Sequence, residues 1–233
     1  MLTIRVYGSQ IPQRNADKKK SAIICVICER LIRCIMAFEF KQCEIDGIKF
    51  NGLYEIQPKI FGDARGYFVE TYSERDFFAA GLTMKFVQDN QSKSSKGVLR
   101  GLHFQTQHPQ GKLVRALEGR VYDVAVDLRK ESKTFGKYYG VILDSEKQNM
   151  FYIPEGFAHG FYVLSDEAIF TYKCTDFYDP KGEGGLMWND PAIGIDWKSV
   201  GGDIEPLLSE KDGKHPAFNP NGNYFDLNAK WIG

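Results

Sequence analysis

Within the stretch Gly97 to Lys112, GVLRGLHFQTQHPQGK, a histidine, an arginine and a lysine surround a short apolar run with the composition of a β-strand. A base on the strand and two cations within sixteen residues suit a site that holds an anionic substrate and moves a proton. Neutral imidazole is the side chain best matched to that task, because its unperturbed pKa of about 6.5 lies close to a neutral working pH. Strand alternation puts Gly101, His103 and Gln105 on one face of the run and Arg100, Leu102 and Phe104 on the other. A glycine on the histidine's own face leaves room beside it. Lys112 follows the turn-forming His108-Pro109-Gln110-Gly111 and can return on a neighbouring strand. Spacing alone leaves open a plainer reading, an ordinary half-buried strand histidine and a solvated turn lysine.

The elements that must hold these residues follow from the flanking pattern. From Gly97 onward, short apolar runs alternate with turn signals at intervals of about ten residues, which predicts a β-sandwich or barrel. Strands are predicted over 112–118, 121–129, 137–143, 150–153, 160–164 and 168–178. Within 121–129, Tyr122, Val124, Val126 and Leu128 share one face, and Asp123, Ala125, Asp127 and Arg129 the other. Before them, Ser73 to Ala80 reads as a helix, with Ser73 as cap, Asp76 at the third helical position and Gly81 as stop. The reading is one antiparallel β domain from about residue 36, few helices, and a loosely attached C-terminal segment after Trp197.

Composition bounds the function. A chain of 233 residues that is 43% hydrophobic and 14% aromatic can bury a sizeable core, so it is globular rather than disordered. Lysine plus arginine equals aspartate plus glutamate at 30 each, so no global field favours nucleic acid or a membrane surface, and anion binding must come from local clusters. The balance hides an asymmetry: residues 1–35 carry a net +5 and the remainder a net −5. Their apolar run, Ala22 to Cys28, is far shorter than the ~20 residues needed to span a bilayer. It resembles a secretory signal only faintly, since Arg30 and Arg33 stand where a cleavage site belongs. The expectation is that residues 1–35 are a mobile or mistranslated appendage, with the ordered domain beginning near Met36 and its strand-like AFEF. Of the five cysteines, Cys25, Cys28 and Cys34 lie in that segment; Cys43 and Cys174 follow. The odd count favours reduced thiols in a cytoplasmic setting, and the Cys25–Cys28 pair lacks partners for a zinc site.

Taken together, FGDARGYFVE (61–70), FVQDNQSKSSKGVLRGLHFQ (86–105), GKLVRALEGRVYDVAVDLRKES (111–132), IPEGFAHGF (153–161), YKCTDFY (172–178), WNDPAIGIDW (188–197) and LSEKD (208–212) closely resemble the dTDP-4-dehydrorhamnose 3,5-epimerase family. The resemblance runs from about Gly47 to Asp212. It implies an all-β, cupin-like double-stranded β-helix, or jelly roll, with a few short helices. It also implies a homodimer with exchanged N-terminal strands, a dTDP-sugar substrate, and no metal or organic cofactor. The implied reaction converts dTDP-4-dehydro-6-deoxy-D-glucose to dTDP-4-dehydro-L-rhamnose in the dTDP-L-rhamnose pathway.

By resemblance, His103 is the base, Asp212 its carboxylate partner, Lys112 the group that stabilises charge on the C4 oxygen, and Tyr172 the proton donor. Arg65, Glu70, Gln88, Asn90, Arg100, Glu183 and Lys211 fall at positions that contact nucleotide, diphosphate or sugar, and His159 at one that lines the pocket. Arg65 and Glu70 are expected to reach into a partner subunit's site. Each role has a plainer competitor: Asp212, three residues after Ser209, fits a helix-capping motif; Tyr172 fits a core aromatic with a satisfied hydroxyl; Arg65 fits a turn charge. His108 and His215, in proline-containing loops, read as solvated.

Three rival functions remain in view. A metal-dependent cupin enzyme needs two close histidines, yet His103 is followed by Phe104 and Gln105 rather than by a second histidine two positions on. A single-site epimerase or 3,4-ketoisomerase of a related nucleotide sugar would share the fold, and the presence of both His103 and Tyr172 favours double epimerisation. A non-catalytic sugar-nucleotide binding module would have no need of every catalytic position being filled.

Overall fold

The computed structural model describes residues 37–225. The expectations for residues 1–35, including Cys25, Cys28 and Cys34, lie outside the described residues.

Two antiparallel sheets face one another. The first is six-stranded, in the order β1 (Phe38–Ile45), β2 (Ile48–Pro58), β10 (Met150–Ile153), β7 (Lys112–Glu118), β12 (Glu167–Cys174) and β5 (Gln88–Ser95). The second is five-stranded, in the order β13 (Glu183–Gly185), β6 (Leu99–Gln105), β11 (Phe157–Val163), β8 (Arg120–Asp127) and β9 (Tyr138–Asp144). A separate hairpin, β3 (Ile60–Asp63) with β4 (Gly66–Val69), stands apart from both. The predicted strands all exist, with ends displaced by a few residues. The helix forms over Glu74–Ala79, where Ser73 Oγ accepts from the Asp76 N–H and buried Phe77 anchors the apolar side.

The alternation along β8 shows how the layers are made. Val121 and Ala125 face the other sheet and join Val114, Phe151, Phe161 and Phe170 in the inner core. Tyr122, Val124 and Val126 face the opposite way and are equally buried. Their cover comes from the C-terminal segment, through Leu186, Ile193, Ile195, Trp197 and Phe225. The expectation of a loosely attached segment after Trp197 is corrected, since Phe225 is buried in this cluster and Val200, Leu208, Phe218 and Tyr224 pack against it. The outer face of β8 and β11 is apolar and needs a lid, and burying an aromatic such as Phe225 contributes roughly 1.5–3 kcal/mol. Leu207 secures the middle of that lid: it bridges Val98 in parallel, with Leu99 N–H donating to its carbonyl at 3.0 Å.

A second correction concerns β6. Against β11, His103 pairs with His159 and Arg100 with Phe161, so two residues of β6, Gly101 and Leu102, oppose the single Gly160. Such a bulge resets the alternation. Arg100 and His103, assigned to opposite faces by the period of two, line the same cleft.

Candidate active site

His103 projects from β6 into a cleft of about 400 Å³ whose walls include Arg100, Leu207, Ser209, Lys211 and Asp212. Its Nε2 lies 2.5 Å from Asp212 Oδ1. The C-terminal lid builds this pair. After Leu207 joins the edge of β6, Ser209 Oγ accepts from the Asp212 N–H at 3.1 Å and its carbonyl accepts from Gly213 N–H, closing a short 3₁₀ turn over Asp212–Lys214. Ser209 bonds only the backbone of Asp212, and the N-cap of the turn, Lys211, makes no side-chain cap bond, so the carboxylate is left for His103. The histidine side chain is 34% exposed to the cleft and the aspartate 5%. Burial pulls the Asp212 carboxyl upward, but hydrogen bonds from His103 and Ser209 outweigh it and hold the group below the usual carboxylate range. An ionised Asp212 can only accept, so the proton between the two groups sits on His103 Nε2 and Nδ1 is turned away from the carboxylate.

His159 shares the inner face with His103, its partner across the ladder, and pairs with Asp123 through Nε2 at 2.9 and 3.0 Å. Asp123 is fully buried, and that burial raises its pKa although His159 and Lys112 oppose the rise. Its position was visible in the sequence as a carboxylate alternating with Ala125 on one face of an apolar strand, and its pairing with a histidine of another strand was not.

The facing sheet contributes a second group. Lys112 shares the inward face of β7 with Val114 and Ala116, and adjoins Cys174 on β12. Burial lowers the pKa of its ammonium, while Cys174, Asp123 and Glu183 act in the other direction. Tyr172 packs against the inner core beside Val114 and pairs with Asn90 of β5; burial raises its pKa, so the phenol stays protonated near neutral pH. Asn90 accepts from Gln88 at 3.1 Å and donates to Cys174 Sγ at 3.6 Å. Electrostatics tie the walls together: Lys112 feels Glu183, Glu183 feels His103, and Tyr172 feels Arg100. The arrangement offers an oriented base on one sheet, and on the other a cation and a weak acid.

The family model for dTDP-4-dehydrorhamnose 3,5-epimerase matches residues 47–220. The chain belongs to that family. The epimerase of that name from Methanothermobacter thermautotrophicus is 50% identical over 187 residues, which is 80% of this chain and 98% of the relative. Among solved structures, the dTDP-4-dehydrorhamnose 3,5-epimerase from Elizabethkingia anophelis is 52% identical, with a TM-score of 0.70 over 77% of this chain and 96% of that one. The dTDP-6-deoxy-D-glucose-3,5-epimerase from Legionella pneumophila, in complex with dTDP-4-keto-L-rhamnose, is 49% identical, with a TM-score of 0.71 over 77% and 92%. The fold is accordingly the cupin-like jelly roll of these epimerases.

The positions expected of an epimerase divide into three groups. His103, Asp212, Arg100 and Lys211 meet in the cleft. Glu183 joins them by an ion pair with Lys211 at 2.5 Å, and Tyr178 donates to it at 2.9 Å. Gln88, Asn90, Lys112, Tyr172 and His159 line the inner faces of the two sheets. Arg65 and Glu70 are not brought there. The Arg65 side chain is 90% exposed at the tip of the β3–β4 hairpin and pairs with its neighbour Asp63, and Glu70 lies just beyond the hairpin, within electrostatic reach of Arg75.

One residue read as solvated is not. The His215 side chain is 9% exposed, its ring stands edge-on to His103 with centroids 5.5 Å apart, and burial lowers its pKa, as does His103. It fits because β13 has a glycine there. A Cβ on Gly185, the ladder partner of His103, would meet the His215 ring at 2.3–2.4 Å. His108, in contrast, is exposed and pairs with Asp176 at 3.2 Å.

Proposed function

We propose that this chain is a dTDP-4-dehydrorhamnose 3,5-epimerase, converting dTDP-4-dehydro-6-deoxy-D-glucose to dTDP-4-dehydro-L-rhamnose. The observation that carries the mechanism is the buried Asp212 carboxylate locked to His103 at the wall of an open cleft. A ketone at C4 acidifies the hydrogens at C3 and C5. His103 Nδ1 removes one of them as the C–H electron pair moves onto the C4 oxygen, and Asp212 holds the tautomer and stabilises the imidazolium. The Lys112 ammonium stabilises the enolate oxygen. Tyr172 then delivers a proton to the opposite face of the same carbon as the enolate collapses back to the ketone. Exchange with solvent restores His103 and Tyr172, and the cycle repeats at the second carbon. Proton transfer by a positioned group contributes about 10²–10⁴-fold.

Arg100 and Lys211 supply cations for the diphosphate, with Gln88, Asn90 and Glu183 as polar contacts for nucleotide or sugar and His159 as a supporting wall. The planar fork of arginine can engage two diphosphate oxygens at once. Arg65 and Glu70 act in the site of a second copy, in a homodimer with exchanged N-terminal strands. The hairpin that carries Arg65 supports this, since it exposes Phe61, Tyr67 and Phe68. The enzyme works in the cytoplasm. No described helix is long and apolar enough to cross a membrane, and Cys43 and Cys174 are free thiols.

The test is incubation with dTDP-4-dehydro-6-deoxy-D-glucose in D₂O, followed by NMR of the sugar. Deuterium at both C3 and C5 is expected. Deuterium at one carbon would demote the enzyme to a single-site epimerase or ketoisomerase, and none would leave a binding module.

A further inference from the structure

The mechanism above has no use for His215, yet this imidazole is buried against the dyad, with its Nε2 turned toward Asp212. That nitrogen is inaccessible to water and, its 3.5 Å ion-pair contact with Asp212 aside, has no hydrogen-bond partner among the described residues. It lies 3.5 Å from the same Asp212 Oδ1 that His103 Nε2 approaches at 2.5 Å, and the three donor atoms all lie within 4.8 Å of one another. A buried ring nitrogen is costly to leave unpaired. Here it is aimed at a carboxylate that already holds a second imidazole.

We propose that His103, Asp212 and His215 form an inhibitory binding site for Zn²⁺. Two imidazoles and one carboxylate are a donor set for a borderline ion of the zinc class, whereas magnesium and calcium call for oxygen. Zinc bonds of about 2.0–2.1 Å put neighbouring ligands roughly 3.3 Å apart in a tetrahedron. The separations of 2.5 and 3.5 Å from Asp212 Oδ1 bracket that value, and the ligand atoms of the three residues lie within 4.8 Å of one another. The side chain of His103, 34% exposed, connects the cluster to the cleft. The compact two-histidine pattern missing around His103 in the sequence is completed by a residue 112 positions further along.

Inhibition follows from the tautomer and rests on His103 being the base. The neutral ring has a single N–H proton, held on Nε2 by Asp212. A zinc ion on Nε2 moves that proton to Nδ1, the nitrogen that has to accept from C3 and C5. The base is then occupied, with no change in the rest of the site. His215 itself takes no part in turnover.

The experiment uses the full chain, stripped with chelator and titrated with Zn²⁺ against a chromophoric competitor, beside His215→Ala and His215→Gln with their melting curves recorded. Cys25, Cys28 and Cys34 are present in all three proteins, so the site is read from the difference between them. The expected result is one zinc equivalent weakened in both variants by at least the roughly 10–100-fold that even an outer-shell partner is worth. Zinc inhibition, read as a lowered kcat, should weaken by the same factor, while metal-free turnover persists. Equal zinc binding in all three proteins, or equal inhibition, overturns the site. If zinc binding depends on His215 but no protein turns over substrate, the epimerase reading falls and the metal site stands.

Discussion

Asp212 meets His103 at 2.5 Å across 109 residues of sequence, and the contact is made by a C-terminal lid that joins the edge of β6 at Leu207. The lid serves the fold and the chemistry at once, since the segment that covers the outer face of the five-stranded sheet also delivers the carboxylate. Asp212→Asn keeps the shape and removes the charge that holds the tautomer. We expect kcat to fall about 10²–10⁴-fold with a nearly unchanged melting temperature. A loss under threefold in steady-state kinetics would remove Asp212 from the mechanism.

Tyr172 and His103 stand on different sheets, so their two proton transfers can be separated. Tyr172→Phe should leave His103 able to wash deuterium from solvent into the substrate while product formation falls by roughly the 10²–10⁴-fold typical of a positioned acid. NMR of substrate recovered from D₂O distinguishes the two events. Parallel loss of exchange and product would mean that Tyr172 shapes the pocket rather than donating a proton.

We predict that Lys112 sets the alkaline limit of activity. Its ammonium form is the one that stabilises an enolate, and burial lowers its pKa below the ordinary lysine value of about 10.4. Activity should therefore fall with rising pH at a lower pH than an ordinary lysine would allow. Tyr172 moves the other way, its pKa raised by burial. Lys112→Arg, charged at every accessible pH, should lower kcat/KM and carry the alkaline limb upward. A limb that does not move in the kcat/KM profile would assign it to another group.

What the sequence made legible was local. His103, Lys112 and Tyr172 could be set on strands by alternation, and Ser73 named as a cap, because each signal lies within a few residues of its effect. The bulge at Gly101 was not legible, since one extra residue in a ladder leaves no mark on an apolar run, and it reversed the side assigned to Arg100. His215 looked like a loop residue beside a proline. Its burial depends on the missing side chain of Gly185 and on a lid held elsewhere by Trp197 and Phe225. Asp123 and His159 were each visible, but their pairing exists only once β8 and β11 are adjacent.

Gly101 should be among the least replaceable residues. Its φ is +127°, and a Cβ there would stand 2.5 Å from Gly160 Cα and 2.8 Å from the His159 carbonyl oxygen, both backbone atoms of the adjoining strand. Strained φ and overpacking together should cost roughly 2–5 kcal/mol in Gly101→Ala. Because the bulge sets Arg100 and His103 on one cleft, stability and kcat should fall together. Urea unfolding beside kinetics would show it, and an unchanged midpoint would mean that the strands can separate freely here.

The β3–β4 hairpin tests the dimer. Phe61 and Phe68 are ladder partners, 49% and 67% exposed, with Tyr67 at 62%, and within one chain little covers them. An exposed aromatic patch of this kind marks a surface that another molecule buries. Replacing Phe61 and Phe68 together by Ser removes little from the single-chain core, so a monomer should still fold. Sedimentation velocity should show dissociation, and turnover per chain should drop with it, because Arg65 and Glu70 would no longer reach a partner's cleft. Adding Arg65→Ala to this monomer should then cost nothing more, whereas in the dimer it should weaken substrate binding. A fully active monomer would sink the shared-site reading and confine Arg65 to its exposed pair with Asp63.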